Sequence, residues 1–155
     1  DQVIHNHNEA HKNQLTAVNQ YWLHYRMLDN WGVHRLAEFE RHESIDEMKH
    51  ADRFSERILF LEGLPNFQAL GRLRIGENVE EILRADLEAE MEAVAMYKDG
   101  VAHCEKLRDY VSRDLFAEVL ENEEKHVDMI EEQFVMVVRM GLQNYVQLQS
   151  EPTGD

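Results

Sequence analysis

Proline is the tightest constraint on this chain. In 155 residues it occurs twice, at Pro65 and Pro152, and glycine is sparse, with seven. Proline removes a backbone donor and clashes with the preceding helical turn, so a chain this poor in breakers favours long helices over many short strands. The length suits a single domain, 1–155, with one sizeable core. No run of eighteen apolar residues is present, so no membrane span is expected. The opening Asp1-Gln2-Val3-Ile4-His5 lacks the basic-then-apolar pattern of a signal peptide, and Cys104, the single cysteine, has no internal disulfide partner. Both points fit a reducing, cytoplasmic setting.

Four long segments carry helical periodicity, giving a bundle over about 3–140. In the first, from about Val3 to Asn30, Leu15, Val18, Trp22 and Tyr25 recur at three- and four-residue spacing. Gly32 offers a left-handed stop. The second runs from about Arg35 to Glu62, with Leu36, Phe39, Ile45, Phe54, Ile58 and Leu61 apolar, and Gly63 and Pro65 ending it. The third, about Asn78 to Leu107, aligns Leu83, Leu87, Val94, Tyr97 and Val101, with Gly100 a weak point of about 1 kcal/mol relative to alanine. The fourth, about Tyr110 to Met140, turns Leu115, Val119, Ile130 and Val137 inward. A short fifth helix follows over about 142–149, then a frayed tail, 150–155. Residues 63–77 form the only long connection, and its apolar side chains predict that it packs along the bundle as a crossover. Short, long, short connections specify an all-α, ferritin-like four-helix bundle: two antiparallel hairpins joined by the crossover between the second and third helices.

The net charge of −15, without any basic stretch, excludes nucleic-acid binding through phosphates. Such acidity suits cations as partners, or serves solubility alone.

Only two of the nine histidines have glutamate three residues before them, in Glu47-x-x-His50 and Glu123-x-x-His126. Each pair sits midway along a helix on its apolar side, and residues three apart face the same way, so each pair can reach one ion. An offset of 76 residues relates the two pairs, and the same offset relates Glu90, inside the third helix's apolar stripe, to position 14 in the first helix. Each hairpin then supplies one residue from its first helix and an ExxH from its second, the arrangement of di-iron carboxylate bundles. Position 14 departs from it: Gln14 offers a carbonyl oxygen but no charge. The competing reading is a buried polar network without metal, which leaves three carboxylates buried and unneutralised.

Around this core stand residues with two readings each. Tyr21, two turns from Gln14 on the same face, either supplies an electron or hydrogen bond to the metals or is a satisfied core tyrosine. His42 and Asp46, about one turn from the Glu47 site, either serve it, by supporting its ligands or passing iron, or are solvated helix residues. Met48 points about 100° away from the metal face. With Ile45, and with Leu15, Asn19 and Trp22 as a facing wall, it makes a protein–protein contact or, more sharply, a haem-binding surface.

These residues lie in segments that closely resemble one family. His42-Glu-Ser-Ile-Asp-Glu-Met-Lys-His-Ala-Asp-Arg53, Ile58-Leu-Phe-Leu-Glu-Gly-Leu-Pro-Asn66, Asp109-Tyr-Val-Ser-Arg-Asp114, Glu123-Glu-Lys-His126 and Met140-Gly-Leu-Gln-Asn-Tyr145 resemble bacterioferritins, and the similarity spans almost the whole chain. The resemblance implies a twenty-four-subunit octahedral cage with a ferroxidase centre in each bundle. It implies one iron site at Glu90 and His126, another at position 14 and His50, and bridges at Glu47 and Glu123. It also implies haem b between two-fold-related subunits, with Met48 from each as axial ligand, and four-fold pores lined by Asn144 and Gln147. Two residues depart from the family pattern: Gln14 replaces its glutamate, and Arg41 stands where an aromatic is common beside the haem.

The first functional expectation is therefore an iron-storing ferroxidase, oxidising Fe(II) with O2 or peroxide and holding Fe(III) mineral. The second is a haem-bearing subunit of impaired activity that co-assembles with a competent bacterioferritin subunit, its haem passing electrons from a ferredoxin-like donor for iron release. A monomeric or dimeric di-metal oxidoreductase is disfavoured, because it leaves the fifth helix and Met48 without a job.

Overall fold

The computed structural model describes residues 1–151 and contains five helices: α1 (Gln2–Asn30), α2 (His34–Phe60), α3 (Val79–Lys106), α4 (Tyr110–Met140) and α5 (Leu142–Gln149). They match the expected elements to within two residues. Ser150 closes α5, and residues 152–155 of the expected frayed tail lie outside the described residues. The dominant packing is α1 on α2 and α3 on α4, two antiparallel hairpins joined by residues 61–78.

Local chemistry sets the helix ends. Asp1 accepts the Val3 amide, and Asn78 accepts the Glu81 amide while Glu81 reaches back to the Glu77 amide. Asp109 caps α4 through Ser112 and also takes the Arg57 guanidinium at 2.9 Å, tying the start of α4 to α2. Gly32 turns the first hairpin at φ +82°, as expected. The turn after α2 uses a different kind of residue. Glu62, not Gly63, takes the left-handed conformation, at φ 66°. Glycine is required at 63 by close approach: a Cβ there would lie 2.7 Å from Ile4 Cγ2.

The bundle interior has three layers along its axis. At one end Ala10, Phe54, Ala93, Tyr97, Cys104, Leu115, Phe116 and Val119 form an apolar cluster. At the other, Leu28, Val33, Leu36, Ala37, Val79, Ile82, Leu83 and Tyr145 form a second, which Tyr145 joins α5 to. Between them lies a belt of buried polar residues from all four long helices, including Gln14, Tyr21, Glu40, Glu47, Asp86, Glu90, Glu123 and His126.

This layering overturns the expected apolar stripe of α1. The buried face of α1 is His7, Ala10, His11, Gln14, Gln20, Tyr21, His24 and Leu28, whereas Leu15, Val18 and Tyr25 are half-buried and Trp22 is exposed. The helix lines a polar belt, so its polar side turns inward. The crossover lies along the bundle as expected, but polar groups hold it there. Asn8 accepts the Asn66 amide, Thr16 the Gly71 amide, Gln20 the Arg74 amide and His24 the Gly76 amide, all between 2.8 and 3.1 Å. Its apolar side chains Leu64, Phe67 and Leu70 remain largely exposed.

Gly100 is more than a weak point in α3. A Cβ there would sit 2.3 Å from Phe116 Cδ1, so the missing side chain lets α3 close onto the Phe116 ring. Gly100→Ala gains helix propensity of about 1 kcal/mol but overpacks a buried ring at about 1–3 kcal/mol. The expected result is a lower thermal midpoint, read by calorimetry. A raised midpoint would show that propensity wins at this position.

Candidate metal centre

Glu47, Glu90, Glu123 and His126 each bring a ligand atom within 4.8 Å of the others, and all four are buried. His126 Nδ1 lies 3.5 Å from Glu123, 3.6 Å from Glu90 and 3.7 Å from Glu47. On the other side His50 Nδ1 lies 3.3 Å from Glu47 and 3.5 Å from Glu123. Glu47 and Glu123 thus stand between the two imidazoles. Gln14 is fully buried, with its Nε2 bonded to the Tyr97 hydroxyl and its Oε1 free of any partner. The helical arithmetic read in the sequence therefore converges in space for the two ExxH pairs of α2 and α4 and Glu90 of α3, while Gln14 of α1 is buried against Tyr97 of α3.

The arrangement is rich in acceptors and poor in donors. Of thirteen buried side-chain atoms without a hydrogen-bond partner among the described residues, eight belong to Gln14, Glu47, His50, Glu90, Glu123 and His126. Orphaned buried acceptors are expensive unless something positive occupies the space between them. Carboxylate and amide oxygens with imidazole nitrogens form a donor set that fits a pair of divalent transition-metal ions. A cavity of about 490 Å³ between α1, Gly71–Arg74 and α3 reaches Glu47 and Glu90 past Glu9, Glu88 and Glu92.

Three residues join the site that the motif did not name. Tyr21, expected near the metals, donates its hydroxyl to Glu90. Glu43, one turn before Glu47, lies 2.9 Å from His126 Nε2 and orients the ring so that Nδ1 faces the carboxylates. Tyr97, two turns beyond Glu90, holds Gln14. The i, i+4 and i, i+7 spacings of Glu43 and Tyr97 were visible in the sequence, but nothing marked these two apart from other helix-face positions. One turn toward the α5 end lies a second group, His24, Glu40 and Asp86. The Gly76 amide donates to His24 Nε2 at 3.0 Å, which leaves the ring proton on Nδ1, 2.9 Å from Asp86. No imidazole lone pair remains for a cation there, and burial beside Asp86 favours the protonated form of Glu40.

The remaining sequence candidates lie farther out. Asp46 is exposed but falls with Glu43 and His126 in one cluster of ligand atoms, while His42 turns to Glu38 at 3.4 Å. Met48 is 41 % exposed and Trp22 40 %. Asn19 is exposed, and Leu15 and Ile45 are half-buried. Arg41 pairs with Glu38 at 3.2 Å. Asn144 and Gln147 are exposed on α5.

Two helical hairpins enclosing a belt of carboxylates and imidazoles define a ferritin-like protein. The ferritin family profile, a ferritin-like domain, matches residues 5–140. The chain is 50% identical to the bacterioferritin of Brucella melitensis, covering 99% of this chain and 95% of the relative. It is 43% identical to the bacterioferritin of Rhodobacter capsulatus (94% and 90%) and 44% identical to that of Mycobacterium avium (89% and 87%). The chain belongs to the bacterioferritin family.

Without metal, protons do the neutralising. Burial, then the charge of Glu123, raises Glu47 and Glu90 well above the ordinary carboxylate range. Burial would raise Glu123 too, but the surrounding Glu90, His126, His50 and Glu47 outweigh it and hold Glu123 well below the ordinary carboxylate range. Burial opposes protonation of His126, and its bonds to Glu123, Glu43 and Glu90 reverse that and raise it. Burial, then Asp86, raises Glu40. An unfolded glutamate titrates near about 4.3, so above that pH the folded state binds more protons at Glu40, Glu47 and Glu90 than the unfolded state does. Their contribution is full below the unfolded value and is lost as pH rises through the window toward the raised folded values. The metal-free protein should therefore lose stability between about pH 5 and 8, measured by urea unfolding. Glu40→Gln keeps a donor to Asp86 without a titrating proton and should flatten that slope. A slope that is level or rising in the metal-free wild type would contradict the protonated-carboxyl account.

Proposed function

We propose that the chain is a subunit of a hollow iron-storage cage that oxidises Fe(II) at a di-iron centre inside each bundle, retains Fe(III) as mineral and binds haem b between subunits. The observation that carries the oxidation centre is the seven orphaned acceptor and lone-pair atoms that Glu47, His50, Glu90, Glu123 and His126 bring together inside the bundle. Family membership supports the storage role. Iron bound there supplies the electrons that reduce O2 or peroxide. The protein's residues would hold it: Glu90 and His126 would serve one ion, Gln14 and His50 the other, and Glu47 and Glu123 would be available to both. Tyr21 steadies Glu90 and Glu43 steadies His126.

Gln14 makes the two halves unequal. Two cations held close together repel, and the surrounding carboxylates offset that repulsion. The Glu90/His126 side has its own anion, whereas the His50 side has a neutral amide. The first side fills first and oxidation runs below the rate of a four-carboxylate centre. The same observation favours a second reading, in which this chain is the haem-bearing partner of a competent bacterioferritin subunit in a mixed cage. In either, Met48 from two subunits would hold the haem, with Leu15, Asn19, Trp22 and Ile45 as walls. The exposure of Met48 and Trp22 supports that surface. Bound there, haem would supply electron transfer, with a ferredoxin-like protein as donor; Asn144 and Gln147 line pores, and His42 and Asp46 serve iron transfer to the cavity.

Stopped-flow Fe(II) oxidation tests the centre. Gln14→Glu should raise both the rate and the iron counted per subunit by anomalous diffraction. Equal iron on both sides in wild type, with no gain from Gln14→Glu, would refute the asymmetric centre. A Met48→Leu variant should lose the haem spectrum while still sedimenting as a large cage. Unchanged haem spectra would place the ligand elsewhere, and a wild-type particle no larger than a dimer would end the cage reading.

A further inference from the structure

Tyr97 is a buried tyrosine that neither the ExxH motif nor the charge argument uses. Its hydroxyl lies within bonding range of three groups: Gln14 Nε2 at 2.5 Å, Asn13 Oδ1 at 3.0 Å and the Ala10 carbonyl oxygen at 3.4 Å. The ring is fully buried and fixed by packing, stacked on Phe54 with an interplanar angle of 9° and tilted against Phe116. A phenol has one hydrogen to give. The Ala10 carbonyl can only accept, and Asn13 presents its oxygen, so the phenol hydrogen goes to that side. The phenol oxygen is then left to accept from Gln14, and the Gln14 amide must turn its NH2 group toward Tyr97.

That settles which end of the amide faces away from Tyr97. Gln14 Oε1 is buried and has no partner, and the lone pairs of Glu47, His50 and Glu123 are likewise unpartnered. Left uncommitted, a glutamine among carboxylates would rotate the other way. Carboxylate oxygens are acceptors only, so they would capture the NH2 group and leave a donor where a cation needs a ligand. We propose that Tyr97 is the positioning residue that makes Gln14 a metal ligand, by claiming its NH2 group and leaving Oε1 for the ion on the His50 side. The proposal rests on the metal-centre reading above. It implies that Tyr97 matters only while position 14 is an amide, because a carboxylate has two equivalent oxygens and needs no such orientation.

Calorimetric titration of the assembled, metal-free protein with Co(II) alone tests this. Co(II) suits the donor set and reports binding without turnover. Wild type should bind Co(II) in two classes per subunit. Tyr97→Phe keeps the ring and its stacking, and it should leave the tight class intact while weakening the other about tenfold, the scale of one hydrogen bond. In the Gln14→Glu background the same Tyr97→Phe change should have no effect on either class. Tyr97→Phe titrating like wild type would overturn the proposal. So would a loss of equal size in the Gln14→Glu background, which marks Tyr97 as ordinary core packing. If Co(II) binding to wild type is insensitive to Glu123→Ala, the metal-centre reading falls first and Tyr97 with it. Survival of Glu123-dependent binding with a silent Tyr97→Phe removes only the Tyr97 assignment.

Discussion

A layer of buried acceptors midway along a helical bundle is the constraint from which the rest of this structure follows. Glu47, Glu90, Glu123, His50 and His126 converge with too few donors among them. Such a layer cannot stabilise itself: each carboxylate is neutralised by a proton, an imidazolium or a cation. The two apolar clusters at its ends supply the packing that holds it closed. Phe54, Tyr97 and Phe116 form an aromatic floor on one side, tight enough that α3 carries glycine at position 100. On the other side Leu28, Leu36, Leu83 and Tyr145 bring α5 onto the bundle.

The same constraint shapes the outside. Because the inward face of α1 is given over to polar residues, its apolar residues are displaced outward, and Trp22 stands exposed. With the exposed Met48 on α2 this leaves apolar surface of the kind that marks contact with another molecule. The polar face of α1 also does the work of docking the crossover. One side chain per turn or so, Asn8, Thr16, Gln20 and His24, accepts a backbone amide of that segment. An eighteen-residue connection without secondary structure is thereby fixed by hydrogen bonds and not by apolar burial. His24 belongs to both systems, receiving the Gly76 amide on one nitrogen and facing Asp86 with the other.

Gln14 shows how a single change of charge is absorbed. An amide in place of a carboxylate lowers the negative charge near one of the two imidazoles and introduces a group with a wrong way round. The position is buried and bonded to Tyr97, so its orientation is fixed by a neighbour 83 residues away. The pairing is local in space and invisible in either helix alone.

The sequence by itself determined the helices, their order and the carboxylates and imidazoles that cluster inside the bundle. Two prolines, repeated apolar spacing and one 76-residue offset suffice, because helix periodicity converts spacing directly into a shared face. It also determined that Gln14 would break the charge symmetry, since composition at a position needs no coordinates. What it misjudged was which face of α1 is inward, because apolar spacing marks a helix face without saying whether core or partner will cover it. Tertiary structure alone decided that the crossover is held by polar groups, that Gly63 and Gly100 serve close approach, and that Glu43 and Tyr97 belong to the site. Those facts depend on which side chains from different helices meet at one level of the bundle, and such distances are set only when the whole interior packs.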